Sequence, residues 1–148
     1  MLLSAHGAQT APAFRRVDAG GAHFLLLSEE ASTHPLYAFG DNRFGQLGDV
    51  GLPLDSYTLH PVPFFSPCEA FPSALADVAC GNRHSVVRTK DGDCYGWGWI
   101  PDADGAIQPP FLLDLPTDVA AVACGASNTY FLLTDNTLWG IGSSTSHS

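Results

Sequence analysis

His23 and His84 come first, because imidazole is the side chain that moves protons or holds a metal near neutral pH. Each stands in a Gly-x-x-His context ahead of an apolar, β-type run. A metal site would need convergent ligands, and general acid–base chemistry would need a positioned second group. No His-Glu-x-x-His, Cys/His pair or carboxylate dyad accompanies either residue. Both are therefore expected to be structural histidines whose ring nitrogens satisfy backbone groups between strands. Cys68, Cys80, Cys94 and Cys124 form no Cys-x-x-Cys pair and match no zinc spacing. They are expected as small structural side chains rather than ligands or a disulfide. Asp102-Ala103-Asp104-Gly105 begins like a calcium loop, but Leu113 stands where the bidentate Glu belongs, so a surface turn is expected. Ser85 and Ser127 lack a Gly-x-Ser-x-Gly setting, and the glycines form neither a P-loop nor a dinucleotide fingerprint. The sequence thus predicts no catalytic residue, no cofactor, no metal and no enzymatic activity.

Aromatic residues carry the binding chemistry that is left. Trp97, Trp139, Tyr37 and Phe39 recur in register and are expected in the core. Trp99 breaks the pattern by replacing a loop residue, which makes it the best candidate for an exposed aromatic anchor. Arg43 and Phe44 are the second candidates for partner contact, followed by the proline-rich connection from Ser56 to Ala74.

What positions these residues is an internal repeat. Val17-Asp18-Ala19-Gly20, Val78-Ala79-Cys80-Gly81 and Val122-Ala123-Cys124-Gly125 each precede a strand opened by His23, His84 or Asn128. A second module follows each at nearly constant distance: Tyr37-Ala38-Phe39-Gly40, Tyr95-Gly96-Trp97-Gly98 and Trp139-Gly140-Ile141-Gly142. Asp91-Gly92 is a tight-turn pair between the second unit's two modules, and Asp135-Asn136 holds the same place in the third. Gly20, Gly81 and Gly125 are expected before strands, and Gly40, Gly98 and Gly142 at their ends, where backbones approach closely or bulge. Repeats are expected over about 17–49, 78–100 and 122–142, joined by irregular connections at 50–77 and 101–121. Asn128 is expected to replace His in the same hydrogen-bonding role.

Phe39-Gly40-Asp41-Asn42-Arg43-Phe44-Gly45-Gln46-Leu47-Gly48 resembles the signature of the RCC1 (regulator of chromosome condensation) repeat. Val-Ala-Cys-Gly before a His-bearing strand, and an Asp-Gly hairpin running into Trp-Gly, resemble the same family. The second unit departs from it at Trp99-Ile100-Pro101 and has no Gly-Gln-Leu-Gly. The resemblance implies an all-β propeller whose full ring has seven blades, of which three repeats make a part. It implies a protein-binding scaffold, with two alternatives. One is nucleotide exchange on a Ran-type small GTPase. The other is an alpha-tubulin-suppressor-like role gripping a small metal-binding protein in translation-factor or tRNA modification.

Composition narrows the partners. The 148 residues are 45% hydrophobic and 14% charged, which supports a packed core. A formal charge of −9, with no Lys/Arg cluster, leaves nothing to drive direct nucleic-acid binding. No run approaches a membrane span, and the start Met1 to His6 does not read as a signal peptide. A protein partner and a cytoplasmic or nuclear location are expected.

Overall fold

A computed structural model describes residues 13–29, 34–49, 51–66, 74–100 and 106–142. Eleven strands form three antiparallel sheets. The first holds β1 (Phe14–Ala19), β2 (His23–Ser28), β3 (Leu36–Asp41) and β4 (Asp55–Pro61), in that order. A 3₁₀ turn, Pro63–Phe65, leads to the second sheet: β5 (Leu75–Cys80), β6 (His84–Thr89), β7 (Cys94–Trp99) and β8 (Ile107–Leu112). The third holds β9 (Val119–Cys124), β10 (Asn128–Leu133) and β11 (Leu138–Gly142). No helix among the described residues is long and apolar enough to cross a membrane.

The register repeats with the sequence. His23 pairs with Gly40, His84 with Gly98, and Asn128 with Gly142. One strand earlier, Ala19, Cys80 and Cys124 face Phe24, Ser85 and Thr129. A bulge next to Gly40 and another next to Gly98 interrupt the pairing of the third strand with the fourth. Both glycines have positive φ, and a Cβ on either would run into the carbonyl of Ala22 or Arg83. The tight turns use the expected residues: Gly92 and Asn136 take positive φ.

Alternation along the strands sends one face of each sheet to a neighbour. Leu25, Leu27, Leu36 and Ala38 of the first sheet pack against Val78, Cys80, Val87 and Trp97 of the second, with Leu47, Val62 and Phe65 closing the rim. Val86, Cys94 and Leu113 then meet Val119, Phe131 and Leu133 of the third sheet. Full burial of each such side chain contributes about 1.5–3 kcal/mol, so these two interfaces hold the stack together. The middle sheet is covered on both faces; the outer two are covered on one.

The repeat bounds read from sequence need correction. The blades run 14–61, 75–112 and 119–142, because the three Val-led segments are themselves strands. The connections are not wholly irregular, since they supply β4, β8 and the beginnings of β5 and β9. Asp55–Pro61 and the Pro109-Pro110 strand are edge strands without clean alternation, which is why their sequence reads as loop. The glycine placement is also refined: Gly40 and Gly98 lie one residue inside β3 and β7, at the bulges.

Gly98→Ala is expected to cost about 1–3 kcal/mol by forcing an L side chain into positive φ against a carbonyl. Urea denaturation followed by tryptophan fluorescence checks this. An unchanged midpoint would show that the bulge tolerates a side chain.

Candidate partner-binding site

The histidines tie the sheets to one another. His23 Nε2 lies 2.8 Å from Ser85 Oγ of the second sheet, and His84 Nε2 lies 2.7 Å from Thr129 Oγ1 of the third. Sequence reasoning assigned these rings to backbone groups. They reach instead to the next sheet's hydroxyl, at the position directly after its own His or Asn. Ser85 Oγ donates to the Gln46 carbonyl at 2.8 Å, so His23 must present Nε2–H to it. The pair therefore has the spacing of a nucleophile and base, but its proton order is reversed and both side chains are wholly buried. Nδ1 of each ring has no protein partner, so no carboxylate orients the imidazole. Burial holds both rings neutral, with pKa values lowered from 6.5 to about 4, and His84 adds charge repulsion at His23.

The glycines give the rings their space. A Cβ on Gly81 would fall inside the His84 imidazole, and one on Gly20 would meet the Gly81 carbonyl and the His23 ring. Turn backbones join in: Gly21 N–H donates to Gly81 O at 3.4 Å, and Asn82 N–H to Ala126 O at 3.0 Å. Asn128, at the same register, makes a 3.3 Å hydrogen bond from Nδ2 to the Tyr130 hydroxyl of its own strand.

The loop after β3 rests on the second sheet. Gln46 and Leu47 are buried, and the Gln46 carbonyl also accepts Trp97 Nε1–H at 2.8 Å. Asn42, also buried, accepts the Leu47 N–H at 3.1 Å and donates to Asp49 O at 3.0 Å. Gln46 Oε1 accepts the Phe44 N–H at 2.9 Å. This internal network fixes the loop and leaves Arg43 and Phe44 at its tip. Ile141 occupies the register of Trp97, while Trp139 takes that of Tyr95, is 47% exposed, and turns its Nε1–H to Thr137 Oγ1 at 3.1 Å. The Gly-Gln-Leu-Gly loop that covers Trp97 has no counterpart in the second unit's sequence.

Phe44 and Trp99 converge on a residue that sequence reasoning missed. The Arg83 guanidinium carbon lies 4.7 Å from the Phe44 ring centroid and 5.8 Å from that of Trp99. Trp99 N–H donates to the Arg83 carbonyl at 2.8 Å, which fixes the indole beside the guanidinium. Arg83 is solvent-exposed, while both aromatic residues are half-buried. Arg43 folds away onto Asp41 through Nε and Nη2, at 3.0 and 2.9 Å, and holds that carboxyl below its usual range. The overlooked signal is the residue just before the strand-opening His or Asn, which is Ala22, Arg83 or Ser127.

The remaining candidates do not assemble into chemistry. Cys80, Cys94 and Cys124 are free thiols; burial pushes Cys80 far up and the other two to about 12. A groove of about 410 Å³ follows β1, β5 and β9 and mixes Arg15 and Arg16 with Asp18 and Asp77. Among the described residues no three His, Cys, Asp or Glu side chains gather as metal ligands. Cys68 and Asp102 to Gly105 lie outside the described residues.

Three radially stacked antiparallel sheets, each with the same register and the same lock to the next, are blades of a β-propeller. Residues 75–99 and 119–147 match the family model of the regulator of chromosome condensation (RCC1) repeat. The chain is 27% identical to mouse RCC1 domain-containing protein 1 over 156 aligned residues, covering 78% of this chain and 40% of the relative. The structure is similar to human WBSCR16 (TM-score 0.74, 22% identity, 90% of this chain and 36% of that one). It is also similar to Prp20p of Saccharomyces cerevisiae (TM-score 0.71, 22% identity, 85% and 31%), whose structure was described with its binding to Gsp1p and histones. The chain is an RCC1-like repeat protein, and it spans 40% or less of the length of each of these relatives.

Two measurements test the locks. With folded values near 4 against 6.5 unfolded, the unfolded chain binds more protons below pH 6.5. The histidines' contribution is thus complete above pH 6.5 and is lost as pH falls toward 4, by roughly 3 kcal/mol per ring at the acid end. The urea midpoint should fall between pH 7 and 4.5, and less steeply in His84→Asn; identical slopes would refute the assignment. Gly81→Ala should destabilise strongly while Gly125→Ala, with nothing within 4 Å, should not.

Proposed function

We propose that this protein is a non-enzymatic protein-recognition scaffold that reads its partner with the loop face around Arg83, Phe44 and Trp99. The carrying observation is the cation held against two aromatic rings by loops from two different blades. An exposed cation–aromatic contact contributes about 0.5–1 kcal/mol, enough to order a side chain before binding. An arginine ordered in advance loses less entropy when its fork meets a partner's carboxylate or carbonyl groups. Aromatic residues and arginine also dominate interface hot spots. Arg43, already paired with Asp41, serves at the rim.

Nucleotide exchange on a Ran-type GTPase is the second reading, favoured by the likeness to Prp20p and its described binding to Gsp1p. The two readings separate by experiment. Proteins co-purified with the tagged chain from its source cells should include a stoichiometric partner that Arg83→Ala and Trp99→Ala each lose. Identical profiles for wild type and both variants would overturn the site. Acceleration of labelled GDP release from a Ran-type GTPase by more than about tenfold, some 1.4 kcal/mol of barrier, would replace the scaffold reading with exchange.

A further inference from the structure

Three arginines are exposed among the described residues, and two of them are already paired within the chain. Arg16 lies 3.7 Å from Asp77, and Arg43 is held by Asp41 at 2.9 Å. Arg83 differs. Asp and Glu outnumber Lys and Arg 15 to 6, yet among the described residues the Arg83 guanidinium meets no carboxylate and no carbonyl. Its contacts are the rings of Phe44 and Trp99.

A third apolar side chain completes the surroundings. Ile107 stands across from Trp99 in the pairing of β7 with β8, hence on the same face of the sheet, and is 47% exposed. A Cβ on Gly45 would come within 2.7 Å of Ile107 Cγ2, so the loop that carries Phe44 lies directly on it. Phe44, Trp99 and Ile107 thus come from three segments and two blades to border one cation.

This arrangement selects a ligand by charge, number and shape. The rings attract the guanidinium with their π faces and accept no conventional hydrogen bond, so its N–H groups are left for acceptors. A partner's lysine or arginine would be repelled here. A nucleic-acid strand would find rings to stack on, but it needs a row of cations along its backbone. The neighbouring Arg43 is already paired with Asp41, and a net charge of −9 opposes a polyanion more than it opposes one carboxylate. A single fork bordered by apolar side chains is matched by a single carboxylate bordered by apolar side chains. The surface is open, with Arg83 exposed, so a chain can cross it and offer a side chain from mid-segment.

We propose that Arg83 receives one aspartate or glutamate side chain of a protein partner, in a segment whose neighbouring residues are apolar and pack on Phe44, Trp99 and Ile107. The inference rests on the recognition reading above and adds the chemistry of the ligand. The pair is bidentate, and the apolar residues on both sides exclude water from it, which strengthens it.

A random library of phage-displayed peptides of about twelve residues, selected on the whole chain, tests this. Peptides fused through their C-terminus offer only side-chain carboxylates. Enriched sequences are expected to carry one Asp or Glu flanked by aliphatic or aromatic residues. A synthetic copy capped at both ends should bind in fluorescence anisotropy, and Arg83→Gln should weaken it at least about tenfold. Arg83→Lys should weaken it too, because the ammonium keeps the charge and loses the fork. Changing the peptide's Asp or Glu to the amide should cause the same loss, and combining that change with Arg83→Gln should add little. Arg83→Glu should select peptides carrying Lys or Arg instead. Binding lost in Phe44→Ala or Trp99→Ala but unchanged in Arg83→Gln would overturn the carboxylate ligand and spare the recognition surface. The same holds for enriched peptides that lack an acid or are polyacidic without apolar residues. No enrichment, or binding indifferent to Phe44, Arg83 and Trp99 alike, would overturn both. A single-stranded oligonucleotide that binds more tightly than the peptides, and is lost in Arg83→Gln, would replace the protein ligand with nucleic acid. Circular dichroism of each variant confirms that the fold is kept.

Discussion

The structure depends on a buried hydrogen bond that runs between sheets rather than within one. A single four-stranded antiparallel sheet has two faces to cover and gains little by itself. Hydrophobic stacking covers them but is non-directional, so it does not fix how one sheet is placed along the next. The imidazole-to-hydroxyl contact supplies that placement. It requires a histidine at the start of one strand, a hydroxyl one residue further along in the next blade, and a glycine beneath the ring. Once these three are set, the inward residues Leu25, Val87 and Phe131 are brought to their neighbours in a single register.

The same lock keeps two residues capable of chemistry buried and committed to one another. His23 and Ser85 are at bonding distance, but the serine proton is committed to the Gln46 carbonyl and the ring is neutral well below physiological pH. A catalytic pair needs an open approach and a base poised near the working pH. Here the surroundings remove both. The cost of burying each Nε2 and its hydroxyl is offset by the bond between them, although Nδ1 of each ring has no protein partner, and specificity of stacking is what results.

Much of this arrangement was legible in the residues. The Gly, His and aromatic spacing repeats because each lock repeats, and Gly92 and Asn136 mark turns whose backbone sign only a few residues adopt. The fourth strands were not legible. Asp55–Pro61 and Ile107–Leu112 are edges whose pairing is decided by the neighbouring strand, and Pro61, Pro109 and Pro110 mask the few β-forming residues they hold. Arg83 was hidden for a related reason: its meaning depends on Phe44, which is 39 positions away in sequence and belongs to another blade. Self-similarity reveals what is repeated, whereas this cluster exists because one repeat position departs from the others.

That division between fixed and free positions underlies the proposed recognition site. Positions inside the lock admit little change, since Gly81 is filled by an imidazole and Gly98 by a carbonyl. The residue just before the lock histidine lies outside these constraints, and its backbone alone is engaged, through the Arg83 carbonyl. Its side chain can therefore be alanine, arginine or serine without disturbing the stack. In the proposed scaffold reading, recognition would be acquired by changing such positions one blade at a time. The loop carrying Phe44 shows how a neighbour cooperates: Asn42 and the Gln46 side chain brace it internally, and the Gln46 carbonyl anchors it on Ser85 and Trp97 of the next blade, so the half-buried ring lies beside Arg83 already in place. Rigidity in the lock and freedom beside it are thus two consequences of the same geometry.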